Sequence, residues 1–195
     1  TTNDVTAYGT QHGLPAPFIM ALYQHTDGRL FIGTGGGVAI MQTDGSISTL
    51  DFSALDGAEY AFGFTPDPVS DLLWMTTDRG LVAYHLADGR LSMLGRNAGL
   101  PFDKMFQAVV DNKHNLWISS NRGILRLQRD NLMAVLSGQQ DKLQYELFGE
   151  SDGMQSAQAN GGSKAAAALA QDGAVWFATS KGVSWVQPGI LRRFA

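Results

Sequence analysis

The chain contains no cysteine. Disulfide staples, thiolate chemistry and Cys-ligated zinc sites are therefore excluded. No apolar run approaches the ~18 residues that a membrane-spanning helix needs. No signal peptide is legible at Thr1, as expected of a processed or trimmed N-terminus. Charge is sparse as well: 16% of residues are charged, the net charge is −4, and no block of like charge exceeds a few residues. A broad nucleic-acid footprint needs clustered Lys and Arg, so nucleic acid is an unsuitable partner. Glutamate is scarce, with three against fifteen aspartates. Histidine is scarce too: His12, His25, His85 and His114 are the full set, and no two have the close spacing of a metal pair.

What the chain does hold is apolar residues (44%), 23 glycines, ten Phe, five Tyr and four Trp in 195 positions. That composition supports a real core made of short strands and tight turns. Self-alignment supplies the organisation. Four segments open on a glycine turn, at Gly13–Pro15, Asp56–Ala58, Gly99–Pro101 and Asp152–Met154. Each continues to an aromatic-centred strand, LFIGT (Leu30–Thr34), LWMTT (Leu73–Thr77), LWISS (Leu116–Ser120) or VWFAT (Val175–Thr179). The anchors Phe31, Trp74, Trp117 and Trp176 are separated by 43, 43 and 59 residues, and so are Gly37, Gly80, Gly123 and Gly182. Two unrelated residue types keeping one spacing makes chance a poor explanation. The longer last interval has its extra residues in Asp130–Tyr145 and between Gly153 and Trp176.

A strand-rich repeat near 43 residues is the blade period of a β-propeller. The expected fold is all-β: a propeller fragment of four blades, each a four-stranded antiparallel meander. In the first repeat the strands fall at Phe18–Gln24, Leu30–Thr34, Val38–Met41 and Ile47–Phe52, with Asp27-Gly28 and Asp44-Gly45 as hairpin turns. The blades are expected at residues 8–52, 53–95, 96–149 and 150–195, with residues 1–7 as the outer strand of a preceding or closing blade. Within that last segment and just beyond it, Asp4–Tyr8 (DVTAY) occupies the place of a fourth strand, and Gly189–Ala195 is all that remains for the outer strand of blade four. Strand should exceed about 40% of the chain, and no helix should pass about two turns. Lys164–Ala170 (KAAAALA) has helix-favouring alanines but sits where the innermost strand of blade four belongs, and is read as strand. The four aromatic anchors should pack between blades and be largely buried.

These repeats resemble the two-component regulator propeller family. The resemblance is carried by DGRLFIGTGGGV ending at Val38, by GLP at Gly99 with NLWISSNRGILRL ending at Leu127, and by DGAVWFATSKGVSWVQP at Asp172–Pro188. It covers Tyr8 to Pro188 and is poorest in the second repeat, where Pro66-Asp67-Pro68 interrupts the run. The family's propellers usually have seven or more blades. The resemblance implies the periplasmic, extracytoplasmic input region of a membrane-anchored receptor whose output is a histidine kinase or a GGDEF diguanylate cyclase. Membrane contact would come only through segments outside this chain.

No motif for chemistry rises above this frame. GTGGG at Gly33–Gly37 has the glycines of a phosphate loop but lacks the following Lys-Ser/Thr and helix. Asp27, Asp88 and Asp172 sit in Asp-Gly turns, where carboxylates satisfy local backbone donors. No catalytic residue, metal site or cofactor is therefore assigned, and the segment is read as a binding module rather than an enzyme. The positions before the register glycines are Gly36, Arg79, Arg122 and Lys181. Repeat geometry puts all four on one propeller face, so Arg79, Arg122 and Lys181 form a candidate rim for an anionic small molecule or glycan. Self-association through the exposed faces of the end blades is expected. The alternative function is a propeller-fold lyase or hydrolase acting on a polysaccharide or lactone, which would need a His or acid near the axis.

Overall fold

The computed structural model describes residues 4–161 and 166–191. Blade one is built from β1 (Ile19–Gln24), β2 (Leu30–Thr34), β3 (Gly37–Met41) and β4 (Ile47–Thr49). Blade two holds β5 (Ala61–Pro66), β6 (Leu72–Thr77), β7 (Leu81–His85) and β8 (Leu91–Leu94). Blade three holds β9 (Ala108–Val110), β10 (Leu116–Ser120), β11 (Gly123–Leu127) and β12 (Tyr145–Phe148), and blade four holds β13 (Ala167–Leu169), β14 (Val175–Thr179) and β15 (Gly182–Val186). Each sheet is an antiparallel meander in chain order. The innermost strands β1, β5, β9 and β13 neighbour one another in sequence order, and no comparable contact joins β13 back to β1 among the described residues. The four blades of this propeller form an open fan.

The repeat register is exact in the pairing: Phe31 faces Ile40, Trp74 faces Ala83, Trp117 faces Arg126 and Trp176 faces Trp185. Strand side chains alternate between faces, so each sheet packs on two neighbours at once. Leu72, Trp74, Leu81 and Ala83 point forward onto Leu116, Ile118, Leu125 and Leu127 of blade three. From the same strands, Leu73, Met75, Val82 and Tyr84 point back onto Phe31, Val38 and Ile40 of blade one. Burial on both faces explains why β6 reads as a nearly unbroken apolar run rather than an alternation.

Four expectations need correction. Strand falls short of the 40% share, because the strands run only three to six residues and long loops join the blades. Asp4–Tyr8 forms no strand. Blade four shows three strands among the described residues; Gly189–Leu191 is not strand, and residues 192–195 lie outside the described residues. The extra length in Asp130–Tyr145 is an eight-residue helix, α1 (Arg129–Leu136), just over two turns. Leu132 of α1 is buried in the core shared by blades two and three, with Met133, Val135 and Leu136 packed beside it. The segment read as an inner strand, Lys164–Ala170, does contain β13, while Lys164 and Ala165 lie outside the described residues.

Trp74 and Trp117 are tied down through the indole N–H. Trp74 Nε1 donates to Asp67 Oδ2 at 3.0 Å, and Trp117 Nε1 donates to Asp111 Oδ2 at 2.8 Å. Asp67 is completed by Arg129 at the start of α1, whose guanidinium lies 2.7 Å from the same oxygen. The insertion in blade three thus clasps blade two. Burial pushes the Asp67 carboxyl up, but the hydrogen bonds from Arg129 and Trp74 outweigh it and hold it below the ordinary carboxylate range.

Candidate functional site

The turns joining second to third strands share one construction that the sequence reading did not single out. Thr34, Thr77, Ser120 and Thr179 end the second strands. Their hydroxyls donate to the carbonyls of Gly37, Gly80, Gly123 and Gly182 at 2.9, 2.9, 2.8 and 3.0 Å. The same oxygens accept the backbone N–H of Gly36, Arg79, Arg122 and Lys181 at 3.0, 3.1, 3.0 and 3.3 Å. The glycines close the turn at φ of 114°, 135°, 124° and 122°, a region that side chains with a Cβ disfavour. The signal was present in the sequence as a hydroxyl ending all four aromatic strands.

This construction fixes the backbone of Arg79, Arg122 and Lys181 and leaves their side chains exposed. No ion pair or side-chain hydrogen bond holds any of the three among the described residues. The turns place them on one face, as expected, but no described cleft brings the three together. Lys181 lines a cleft of about 450 Å³ beside β15, with Phe148, Asp152, Met154 and Trp185. Arg79 and Arg122 line none of the five described clefts.

Closer to the fan's inner side the same face carries an aromatic platform, which sequence reasoning missed. Bulges break the pairing of the inner strands between Ile19 and Ala21 and between Ala61 and Gly63. A bulge re-aims side chains, and the second one presents Phe62 to its neighbours. Tyr60 stacks on Phe62 at 6.0 Å, and Phe106 of blade three meets Phe62 edge-on at 5.4 Å. Asp78, next to Arg79, accepts the backbone N–H groups of Glu59 and Tyr60, each at 3.0 Å. Thr76 Oγ1 donates to the Phe106 carbonyl at 2.7 Å, and Gln107 Nε2 donates to the Phe62 carbonyl at 3.4 Å. Gly35 lies against the Tyr60 ring and Gly161 against the Phe106 ring, where a Cβ would collide with Phe106. A ring surface with cations nearby suits a flat ligand that carries negative charge.

The histidines serve local structure. His12 Nδ1 accepts the Gly9 N–H at 2.9 Å within its own turn, and His25 Nδ1 lies 2.9 Å from Asp27. Asp27 is held well below the ordinary carboxylate range, first by its side-chain bond from Arg29. His114 occupies a left-handed turn position at φ 63°. His85 sits at the outer side of blade two, in a cleft of about 430 Å³ shared with Arg90, Met133 and Leu136. Burial lowers its pKa, and the Arg90 cation adds to the effect.

No family model matches the chain and no curated protein is similar to it in sequence. Solved structures do match. The extracellular domain of a hybrid two-component system of B. thetaiotaomicron superposes over 95% of this chain with a TM-score of 0.76 and 20% identity. A second such domain from the same organism covers 94% with a TM-score of 0.74 and 15% identity. This chain spans 24% and 23% of those two structures. Virginiamycin B lyase of Staphylococcus aureus follows over 90% of this chain and 57% of its own, with a TM-score of 0.60 and 15% identity. At these identities the likeness is one of fold, and the fold is the β-propeller.

Proposed function

We propose that the chain is a non-catalytic, ligand-sensing stretch of an extracytoplasmic propeller in a membrane-anchored bacterial signalling receptor. The observation that carries this reading is the superposition of 95% of the chain on the extracellular domain of a hybrid two-component system. The sequence resemblance points to the same class independently. In this reading the ligand is a small molecule or glycan that lies on Tyr60, Phe62 and Phe106, with its anionic group turned to Arg79 or Arg122. Bases and sugars alike find apolar area and a polar edge on such rings. The output is a histidine kinase or a diguanylate cyclase elsewhere in the receptor.

Titrating the 195-residue chain with a panel of neutral and uronate-containing oligosaccharides, followed by tryptophan fluorescence, tests the binding role. Saturable binding by an anionic member, lost in Tyr60→Ala and without formation of cleaved products, is the expected result. Binding of none, or turnover of any, goes against it. Alkaline phosphatase fused after the segment in the intact receptor should be active, as it is only outside the cytoplasm.

A lyase or hydrolase is the second reading, favoured by the fold shared with virginiamycin B lyase, a Staphylococcus aureus enzyme whose title describes a His-to-Ala form as catalytically inactive. In this chain His12 and His25 are engaged in their own turns. Cleavage of a glycan or lactone by the chain, abolished by replacing one histidine, would establish the second reading over the first.

A further inference from the structure

We propose that Val5–Tyr8 of one copy pairs as an antiparallel outer strand on the open edge of β15 in a second copy. The argument rests on the internal repeat and does not depend on the sensing role. Blades two and three end in one device: an outer strand, an extended glycine, a 3-10 turn and a left-handed glycine. In blade two these are β8, Gly95 (φ −117°, ψ −152°), Arg96–Ala98 and Gly99 (φ 97°, ψ 7°). In blade three they are β12, Gly149 (φ −143°, ψ −157°), Glu150–Asp152 and Gly153 (φ 101°, ψ 7°). The N-terminal segment repeats the device at Gly9 (φ −145°, ψ −168°), Thr10–His12 and Gly13 (φ 104°, ψ 7°). The four residues ahead of Gly9 therefore stand where β8 and β12 stand. Val5 and Tyr8 are nonetheless exposed, and no strand lies beside them.

The matching vacancy is on β15. In the three other blades the residue after the register glycine is covered: Val38, Leu81 and Ile124 are 0% exposed. Its counterpart Val183 is 67% exposed, and Trp185 is 57% exposed. Among the described residues β15 pairs with β14 alone. An open strand edge with apolar side chains is a template for another strand.

The register follows from the complete blades. Leu94 faces Leu81 and Leu91 faces Tyr84, just as Phe148 faces Ile124 and Tyr145 faces Leu127. Carried over, Tyr8 faces Val183, Ala7 faces Ser184, Thr6 faces Trp185 and Val5 faces Val186. The incoming strand would lie beside the cleft lined by Val183, Ser184, Trp185 and Val186. The contact is head-to-tail, and two of them related by a two-fold axis close a ring of eight blades, 2 × 4.

The absence of native cysteine makes a clean test possible. Ala7→Cys and Ser184→Cys are made as separate single variants, mixed at high concentration and oxidised. A disulfide-linked dimer should form in the mixture and in neither variant alone, and pairing Ala7→Cys with the out-of-register Val186→Cys should give far less. Removing residues 1–8 should convert a two-copy mass to a one-copy mass in sedimentation, with the circular dichroism of the propeller unchanged. No cross-link in the mixture overturns the proposal. So does a double variant that closes within one chain at high dilution, which would mean a self-closed ring. A two-copy mass that survives the deletion overturns it as well.

Discussion

Trp74 and Trp176 occupy the same place in the repeat, yet one ring is 1% exposed and the other 39%. Around Trp74, blade three supplies Leu116, Ile118, Leu125 and Leu127, and the indole N–H reaches Asp67. Around Trp176 no described blade follows, and the ring stacks on its own sheet neighbour Trp185 at 5.9 Å. The expectation of four buried anchors therefore holds for Phe31, Trp74 and Trp117 and fails for Trp176. The difference is not in the residue but in its neighbour. A propeller blade cannot bury its forward face alone, so the same side chain is core in one repeat and surface in the next.

The largest effect should come from deleting the buried ring. Trp117→Ala removes a fully buried side chain and leaves the Asp111 carboxylate without one of its donors. It should cost about 3–5 kcal/mol. Trp176→Ala should cost about 1 kcal/mol, within the range of ordinary single substitutions. Urea denaturation of both variants measures the contrast. Equal losses would mean that Trp176 is as well covered as Trp117.

The clasp between blades comes next. Arg129→Ala strands the Asp67 carboxylate, whose side chain is 1% exposed, and should cost about 3 kcal/mol at neutral pH. The sign with pH is specific. In the intact protein the folded pKa of Asp67 is lowered, so its contribution is present above the unfolded value of about 3.9 and is lost as pH falls through the folded value. Without Arg129, burial dominates and the folded pKa rises. The variant should then recover as the carboxyl protonates, and its deficit should shrink between pH 7 and about pH 4. A deficit that stays constant with pH would remove the charge from the explanation.

Two glycines give a finer contrast. A Cβ on Gly80 would lie 2.5 Å from the Leu94 carbonyl oxygen of the outer strand, whereas a Cβ on Gly182 meets nothing within 4 Å. Both have left-handed φ. Gly182→Ala should show the backbone strain alone, about 1–2 kcal/mol, and Gly80→Ala should exceed it because β8 must shift as well. Should β15 gain an outer strand from a second copy, the cost of Gly182→Ala would rise with protein concentration.

Most of the fold was legible because the repeat wrote it four times. The spacing of Phe31, Trp74, Trp117 and Trp176 located every second strand, and the paired glycines located every third. What escaped was whatever occurs once. Helix α1 is an insertion in one blade, and its apolar positions Leu132, Met133, Val135 and Leu136 could be read as helix or strand at that length. Asp67 looked like part of a Pro-broken stretch, yet it accepts from both Trp74 and Arg129, and only the tertiary fold brings Arg129 there. The candidate site divides the same way. Arg79, Arg122 and Lys181 followed from register, but the platform of Tyr60, Phe62 and Phe106 depends on a bulge and on two blades meeting.

The smallest effect on stability, and the sharpest on function, should come from the cations of the rim. Arg79 and Arg122 have exposed side chains with no partner among the described residues, and their backbones are held by Thr77 and Ser120 whatever the side chain. Replacing both with Ala should therefore leave stability within about 0.5 kcal/mol. Thr77→Val is the informative companion, since it keeps Arg79 but removes the hydroxyl that donates to the Gly80 carbonyl and accepts the Arg79 N–H. It should destabilise by about 1–2 kcal/mol by leaving buried backbone groups without their partner. If the rim steers an anion to the platform, the double Ala variant should bind an anionic oligosaccharide more weakly and with a flatter dependence on salt, because fewer charges are there to be screened. A neutral oligosaccharide should bind the variant and the parent alike. Titrations of both ligands at low and high salt, with the melting curves run alongside, separate steering from folding. Loss of binding for the neutral ligand would assign the two arginines to the shape of the site, and unchanged binding of the anion would remove them from it.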